Sequence, residues 1–255
     1  MTFFTTASAQ TPRLGTWIKL ATVESVDIMA SAGFDFVVID LEHAPLDLTL
    51  AARMISAALA YGVDPLVRVP DHEGSTIQRV LDAGAQGILA PRVDSVADAE
   101  RVVAATRFPP LGRRGAGGTS RAGRWGLTPR DEYVRVGNED VVCVPQLESP
   151  AAIDAAADIL AVPGVDAVFL GAGDLSLALG VRMNDPVVKE SLDRARAAAA
   201  AAGKPCGAAC VDGPSAVRTA ALGHQFLIMG NDATMLARTA HSMTQAFREQ
   251  MGTTS

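Results

Sequence analysis

The chain has 255 residues, 49% hydrophobic but only 5% aromatic, and a formal net charge of −6. That length suits a single α/β domain. The acidic balance offers no field for nucleic acid or anionic lipid, so small molecules are the expected partners. Residues 1–12 carry no basic n-region and no sustained apolar h-region, and no run reaches the roughly 18 apolar residues of a membrane span. They read as a flexible arm, with neither signal peptide nor anchor expected. The cysteines, Cys143, Cys206 and Cys210, are odd in number and sit in apolar strand-like runs, which predicts buried thiols in a reduced, cytoplasmic protein.

Strand and helix signals alternate from end to end. Thr16 to Lys19 reads as a strand, Ser25 to Ala32 as a helix stopped by Gly33, and Phe34 to Asp40 as a β-branched and aromatic strand of the kind buried on both faces. Leu48 to Tyr61 is helical, Pro65 to Val69 a strand closed by Pro70, Thr76 to Ala83 helical, and Gly87 to Val93 a strand in which Pro91 is tolerable only near the end. Ser95 caps a helix reaching Arg107, with Asp98 as a capping-box-like partner. From Pro109 to Asp140 no periodicity is visible, only glycines and arginines, which predicts a long functional loop. The rhythm resumes with a strand at Val141 to Glu148, a helix at Pro150 to Leu160 and a strand at Val168 to Gly171. Asp185 and Pro186 open a helix running to Gly203, and strands at Pro205 to Cys210 and Phe226 to Met229 flank a helix at Pro214 to Leu222. A last helix starts at Asp232. Eight such units predict one (β/α)8 TIM barrel, residues 1–255, ahead of a doubly wound open sheet.

Such barrels carry their chemistry on the C-terminal ends of the strands. The polar residues at those ends are Lys19, Asp40, Glu42, His43, Arg68, Asp71, His72, Arg92, Gln146, Glu148, Asp174 and Asp212. Of the four histidines, only His43 and His72 fall at this rim. Gln146 and Glu148, two apart in one strand, share a face. Glu148 and Asp174 end neighbouring strands, so their carboxylates can converge on one hard cation; the plainer reading has Asp174 capping a helix and Glu148 solvated. Asp40 reads as ordering the His43 loop, and Glu42 as structural. Arg68 reads either as an oxyanion partner or as one half of an ion pair with a neighbouring acid.

Ile39 to Pro45, Val67 to Pro70, the arginine-rich segment Arg121 to Trp125, Gln146 to Ser149 and Gly171 to Ser176, in that order, resemble the signatures of the HpcH/HpaI aldolases, the metal-dependent class II pyruvate aldolases. The resemblance implies a divalent metal, Mg²⁺, Mn²⁺ or Co²⁺, on Glu148 and Asp174, with pyruvate or hydroxypyruvate and an aldehyde as substrates. It implies that His43 serves proton transfer, that Arg68 holds the enolate oxygen, and that Gln146, Gly173 and Asp174 line the substrate. Asp82 matches the carboxylate that raises the basicity of the histidine. This chain has Gly171-Ala172-Gly173 where the common form has proline then alanine, which leaves the acceptor side open. A Schiff-base aldolase would need Lys19, a CoA-ester lyase would need the Arg113 to Arg124 cluster as a CoA groove, and a barrel that only binds a small acid would need neither.

Asp82 ends a helix on the face opposite its own rim, so any histidine it helps is expected in another subunit. The last helix carries Leu236, Ala240, Met243 and Phe247 as an apolar stripe. With the long loop, these features predict an obligate homo-oligomer, the trimer-of-dimers hexamer that the resemblance implies.

Overall fold

The computed structural model describes residues 3–4 and 11–251. Residues 1, 2, 5–10 and 252–255 lie outside the described residues, and most of the expected arm with them. The first half runs β1 (Arg13–Ile18), α1 (Glu24–Ser31), β2 (Phe36–Asp40), α2 (Leu48–Ala60), β3 (Asp64–Arg68), α3 (Gly74–Asp82), β4 (Gly87–Ala90) and α4 (Val96–Thr106). After α5 (Arg130–Glu139) come β5 (Val142–Leu147), α6 (Pro150–Asp154), α7 (Ala156–Ala161), β6 (Val168–Leu170) and α8 (Ala172–Ala178). The chain ends with α9 (Pro186–Ala201), β7 (Cys206–Cys210), α10 (Gly213–Ala221), β8 (Phe226–Asn231) and α11 (Asp232–Gln250). Each strand pairs in parallel with the next, and β8 returns to β1 to close the expected (β/α)8 barrel. Among the described residues no helix is long and apolar enough to cross a membrane.

Alternation along the strands sorts side chains into two cores. Val37, Ile39, Val67 and Ile88 face out and pack against the helices with Met54, Ile55 and Ile77. Phe36, Val38, Leu66, Leu89, Val144, Phe169 and Phe226 face in and fill the barrel. Burying each such side chain contributes about 1.5–3 kcal/mol. The interior is aromatic, and two glycines make room for it. Gly15 pairs with Phe36 across β1 and β2, and Gly207 with Phe226 across β7 and β8. A Cβ on either would lie 2.3 or 2.2 Å from the partner's ring. Phe3 closes the floor beneath these rings, 5.1 Å from Phe36, with the Arg13 guanidinium 4.2 Å over it.

Two expectations need correction. The stretch from Pro109 to Asp140 is not a structureless loop, because a 3₁₀ turn at Arg124–Gly126 and the ten-residue helix α5 stand inside it. That helix buries only Tyr133 and Gly137, too little apolar surface to leave a periodic signal. Gly137 sits mid-helix because a Cβ there would strike the Phe108 ring at 2.3 Å. The single helix expected from Pro150 to Leu160 is two, divided at Ala155 with ψ of 2°. Pro91 falls just beyond β4, and Ser95 caps α4 by accepting from the Asp98 N–H at 3.2 Å.

Candidate active site

The alternation that fills the barrel also selects what crowns it. Asp40 follows Phe36 and Val38, Arg68 follows Leu66, and Gln146 follows Val142 and Val144, so these three polar residues share the inward face where the strands end. Asp40 is fully buried and receives five donors: Arg68 Nε at 2.8 Å, Arg68 Nη2 at 2.6 Å, Lys19 Nζ at 2.5 Å, and the backbone N–H groups of Glu42 at 3.1 Å and His43 at 3.2 Å. Burial alone would raise its carboxyl, but the Arg68 and Lys19 contacts outweigh it and hold the group down to about 2. Asp40 therefore fixes both the arginine and the loop that carries His43, as expected. Arg68 is the ion-pair partner that one of its two expected readings called for: it is paired with Asp40, stacked 4.2 Å over the Trp17 ring, and turns Nη1 toward Glu42 at 3.2 Å.

Glu42 is more central than the sequence suggested. Nearly buried, it lies 3.2 Å from Arg68, 3.5 Å from His43 Nε2 and 3.8 Å from Arg92 Nε. It links the residues expected to act. His43 itself is open, with 57% of its side chain exposed. Arg92, expected at the rim from its strand-end position, belongs to the cluster, and so does Trp17, which nothing local marks.

Across the mouth, Glu148 is buried and accepts from Gln146 Nε2 and, at 2.8 Å, from the Arg92 N–H. Burial first, then the carboxyls of Asp174 and Glu42, push it up to about 7 against the pull of the Arg92 N–H. Asp174, in the first turn of α8, is exposed and close enough for its carboxyl to raise that of Glu148. Gly171 lets them meet, because a Cβ there would lie 2.6 Å from Glu148 Cβ. Gly173 presents bare backbone, with nothing within 4 Å of where its Cβ would be. Gln146 Oε1 is buried with no partner. Two oxygen donors that repel as anions, beside an unused buried acceptor, suit a hard dication plus a polar ligand. Among the described residues no group of three or more His, Cys, Asp or Glu gathers as a closed metal cage, so a cation here would take its remaining ligands from elsewhere.

Asp82 stands apart from this rim. Its partners are Arg114 Nη2 at 2.8 Å, the Tyr133 hydroxyl at 3.2 Å and, through its carbonyl, the Ala122 N–H at 3.1 Å, all from the segment between α4 and β5. Arg114 is thereby buried and stacked 4.5 Å over Phe108, and so is withdrawn from any CoA groove. Lys19, the lysine a Schiff-base aldolase would need, is paired with Asp40 at 2.5 Å. His72 is turned away onto the Pro91 carbonyl at 2.6 Å, and Asp212 caps α10.

A closed parallel barrel with an acid pair, a clamped arginine and an open histidine at its mouth defines a (β/α)8 protein whose polar cluster stands at the strand C-terminal ends, the rim where such barrels carry their chemistry. The chain belongs to the HpcH/HpaI aldolase/citrate lyase family, whose sequence profile matches residues 13–246. It is 37% identical over 242 residues to a hydroxypyruvate/pyruvate aldolase of Deinococcus radiodurans, covering 94% of this chain and 87% of that one. It is 37% identical over 248 residues to a 4-hydroxy-2-oxo-heptane-1,7-dioate aldolase of Salmonella paratyphi C, covering 96% and 94%. A crystal structure of a family member from Burkholderia cenocepacia superposes with a TM-score of 0.88 at 33% identity, covering 93% of this chain and 95% of that one.

Proposed function

We propose that this protein is a divalent-metal-dependent aldolase that forms and cleaves 4-hydroxy-2-oxo acids, with pyruvate or hydroxypyruvate as donor and an aldehyde as acceptor. The observation that carries this reading is the buried Glu148 beside Asp174, a pair that two negative charges destabilise and a dication would relieve. Glu148 and Asp174 would hold Mg²⁺, Mn²⁺ or Co²⁺, which supplies Lewis-acid polarisation of the donor's carbonyl. Arg68, fixed by Asp40 and Trp17, adds a preorganised positive charge where the enolate oxygen develops. His43, on the loop that Asp40 orders, moves the proton. In cleavage its Nε2 takes the C4 hydroxyl proton, the C3–C4 bond breaks as the aldehyde leaves, and the proton returns to C3 of the pyruvate enolate. Gln146 and the Gly173 backbone line the donor.

The reading includes assembly. Residues 236–250 of α11 are exposed throughout, although Leu236, Met243 and Phe247 lie among them, so the apolar stripe is not packed on the chain's own barrel. A homo-oligomer, a trimer of dimers, would cover it and bring Asp82 of one subunit toward His43 of another. The buried free thiols suit a reducing cytoplasm.

The test is metal removal and return. Chelated protein should lose both aldol cleavage and exchange of the pyruvate methyl protons, and should regain both on addition of Mg²⁺, Mn²⁺ or Co²⁺. Full activity after chelation overturns the metal requirement, and no turnover of either donor with a panel of aldehydes by metal-loaded protein overturns the aldolase reading.

A further inference from the structure

The donor end of the site does not account for Arg92. This residue follows β4 and Pro91, and its backbone lies in the left-handed region at φ 51°, which is uncommon for a long side chain. Its N–H holds Glu148 Oε1 at 2.8 Å, so its place relative to the acid pair is fixed. Its side chain points outward, 65% exposed. Arg68 is held by Asp40 and Glu42 and Lys19 by Asp40, whereas Arg101, 60% exposed, has an ion pair with Asp98 at 3.2 Å. Of the five N–H donors on the Arg92 guanidinium, one reaches the Pro70 carbonyl at 3.2 Å, and Nε stands 3.8 Å from Glu42. The outer edge of the fork is open. It faces a cavity of about 390 Å³ lined by Asp71, His72, Glu73, Arg92 and Arg101, in which Asp71 is turned onto the Glu73 N–H at 2.9 Å.

Resting on the aldolase reading, the direction of the reaction supplies the occupant. With the donor against Glu148, Asp174 and Arg68, the new bond joins its C3 to the aldehyde carbon, so the acceptor takes the open side of the mouth, and Arg92 is tied to that mouth by the bond from its N–H to Glu148. A planar guanidinium with a free edge matches a carboxylate or phosphate at the end of that tail. We propose that Arg92 is a specificity-determining residue that binds a terminal oxyanion on the acceptor aldehyde.

The experiment compares kcat/KM for condensation of pyruvate with 4-oxobutanoate, with a phosphate-terminated aldehyde of similar length, and with pentanal, which is uncharged. Wild-type protein should prefer one or both anionic acceptors, and the larger preference names the oxyanion. Arg92→Asn keeps a residue that tolerates the left-handed backbone and should reduce the anionic-to-neutral ratio roughly 10- to 100-fold, mainly through the KM of the acceptor. Arg92→Lys should recover part of the ratio. The ratio is independent of the concentration of active enzyme, so a partly misfolded variant leaves it readable. A wild-type ratio near one, or a ratio unchanged in Arg92→Asn, overturns the assignment. Deuterium entry from D₂O into the pyruvate methyl group of the wild type separates the two readings. Exchange with a flat ratio overturns Arg92 alone, and no exchange overturns the aldolase reading and this assignment with it.

Discussion

Replacing Asp40 with asparagine removes one charge from a side chain that five donors share. The amide oxygen can keep Arg68 Nε and the two backbone N–H groups, but the amide nitrogen then faces Arg68 Nη2 and Lys19 Nζ, which sit 2.6 and 2.5 Å from the carboxylate oxygen it replaces. Breaking a buried pair in this way costs about 3–5 kcal/mol. Arg68 keeps Glu42 at 3.2 Å, and Lys19 is partly exposed, which brings the expected loss to about 2–4 kcal/mol. The carboxyl gives a second measure. Its fall from 3.8 to about 2 in the fold corresponds to roughly 2.5 kcal/mol favouring the ionised form. The folded value lies below the unfolded one, so this stabilisation is fully present above about pH 4 and is lost as pH falls through about 2. Urea unfolding of both proteins, followed by circular dichroism from pH 7 to pH 2, should show a gap of that size at pH 7 that closes across the lower window. A D40N protein within about 1 kcal/mol of wild type at pH 7, or a gap that persists unchanged at pH 2, would refute the reasoning.

Arg68→Ala should lower kcat by about a hundredfold or more in a protein that remains folded by circular dichroism, and an unchanged kcat would reassign Arg68 to a purely structural tie with Asp40. Gly207→Ala forces a methyl to within 2.2 Å of the Phe226 ring and should destabilise the barrel by about 1–3 kcal/mol in urea unfolding. Adding Phe226→Leu should return part of that loss, and no return would show that the clash is not with the ring. Met243→Asp with Phe247→Asp should dissociate the assembly in analytical ultracentrifugation; a wild-type protein that is a fully active monomer at assay concentration would sink the oligomer proposal.

What could be read in the sequence follows the range over which each interaction acts. The strand Phe36–Asp40 announces itself because its burial on both faces demands an unbroken apolar run, and the polarity change at Asp40 marks the rim. Helices α4 and α9 announce themselves through Ser95 and the Asp185-Pro186 pair, caps that act within one turn. Helix α5 does not, because its buried surface is little more than Tyr133 and Gly137. The pairing of Gly15 with Phe36 and of Gly207 with Phe226 depends on strand register, which joins positions about twenty residues apart and leaves no local trace. Glu42 was underestimated for the same reason: Arg68 ends β3 and Arg92 follows β4, and only the pairing of β2, β3 and β4 brings both to it.

The stacking of Arg68 on Trp17 has a practical consequence. The chain contains two tryptophans, and they occupy opposite environments. Trp17 lies inside the barrel, 5.9 Å from the Phe169 ring, with the guanidinium 4.2 Å above its own. Trp125 is 69% exposed on the segment between α4 and β5. Intrinsic emission therefore mixes a blue-shifted signal from beneath the rim with a red-shifted one from the surface. Trp125→Phe leaves a single tryptophan, in contact with the cation proposed to meet the donor. Entry of a 2-oxo acid could then be followed by stopped-flow fluorescence in the unlabelled protein, on a timescale that product assays do not reach.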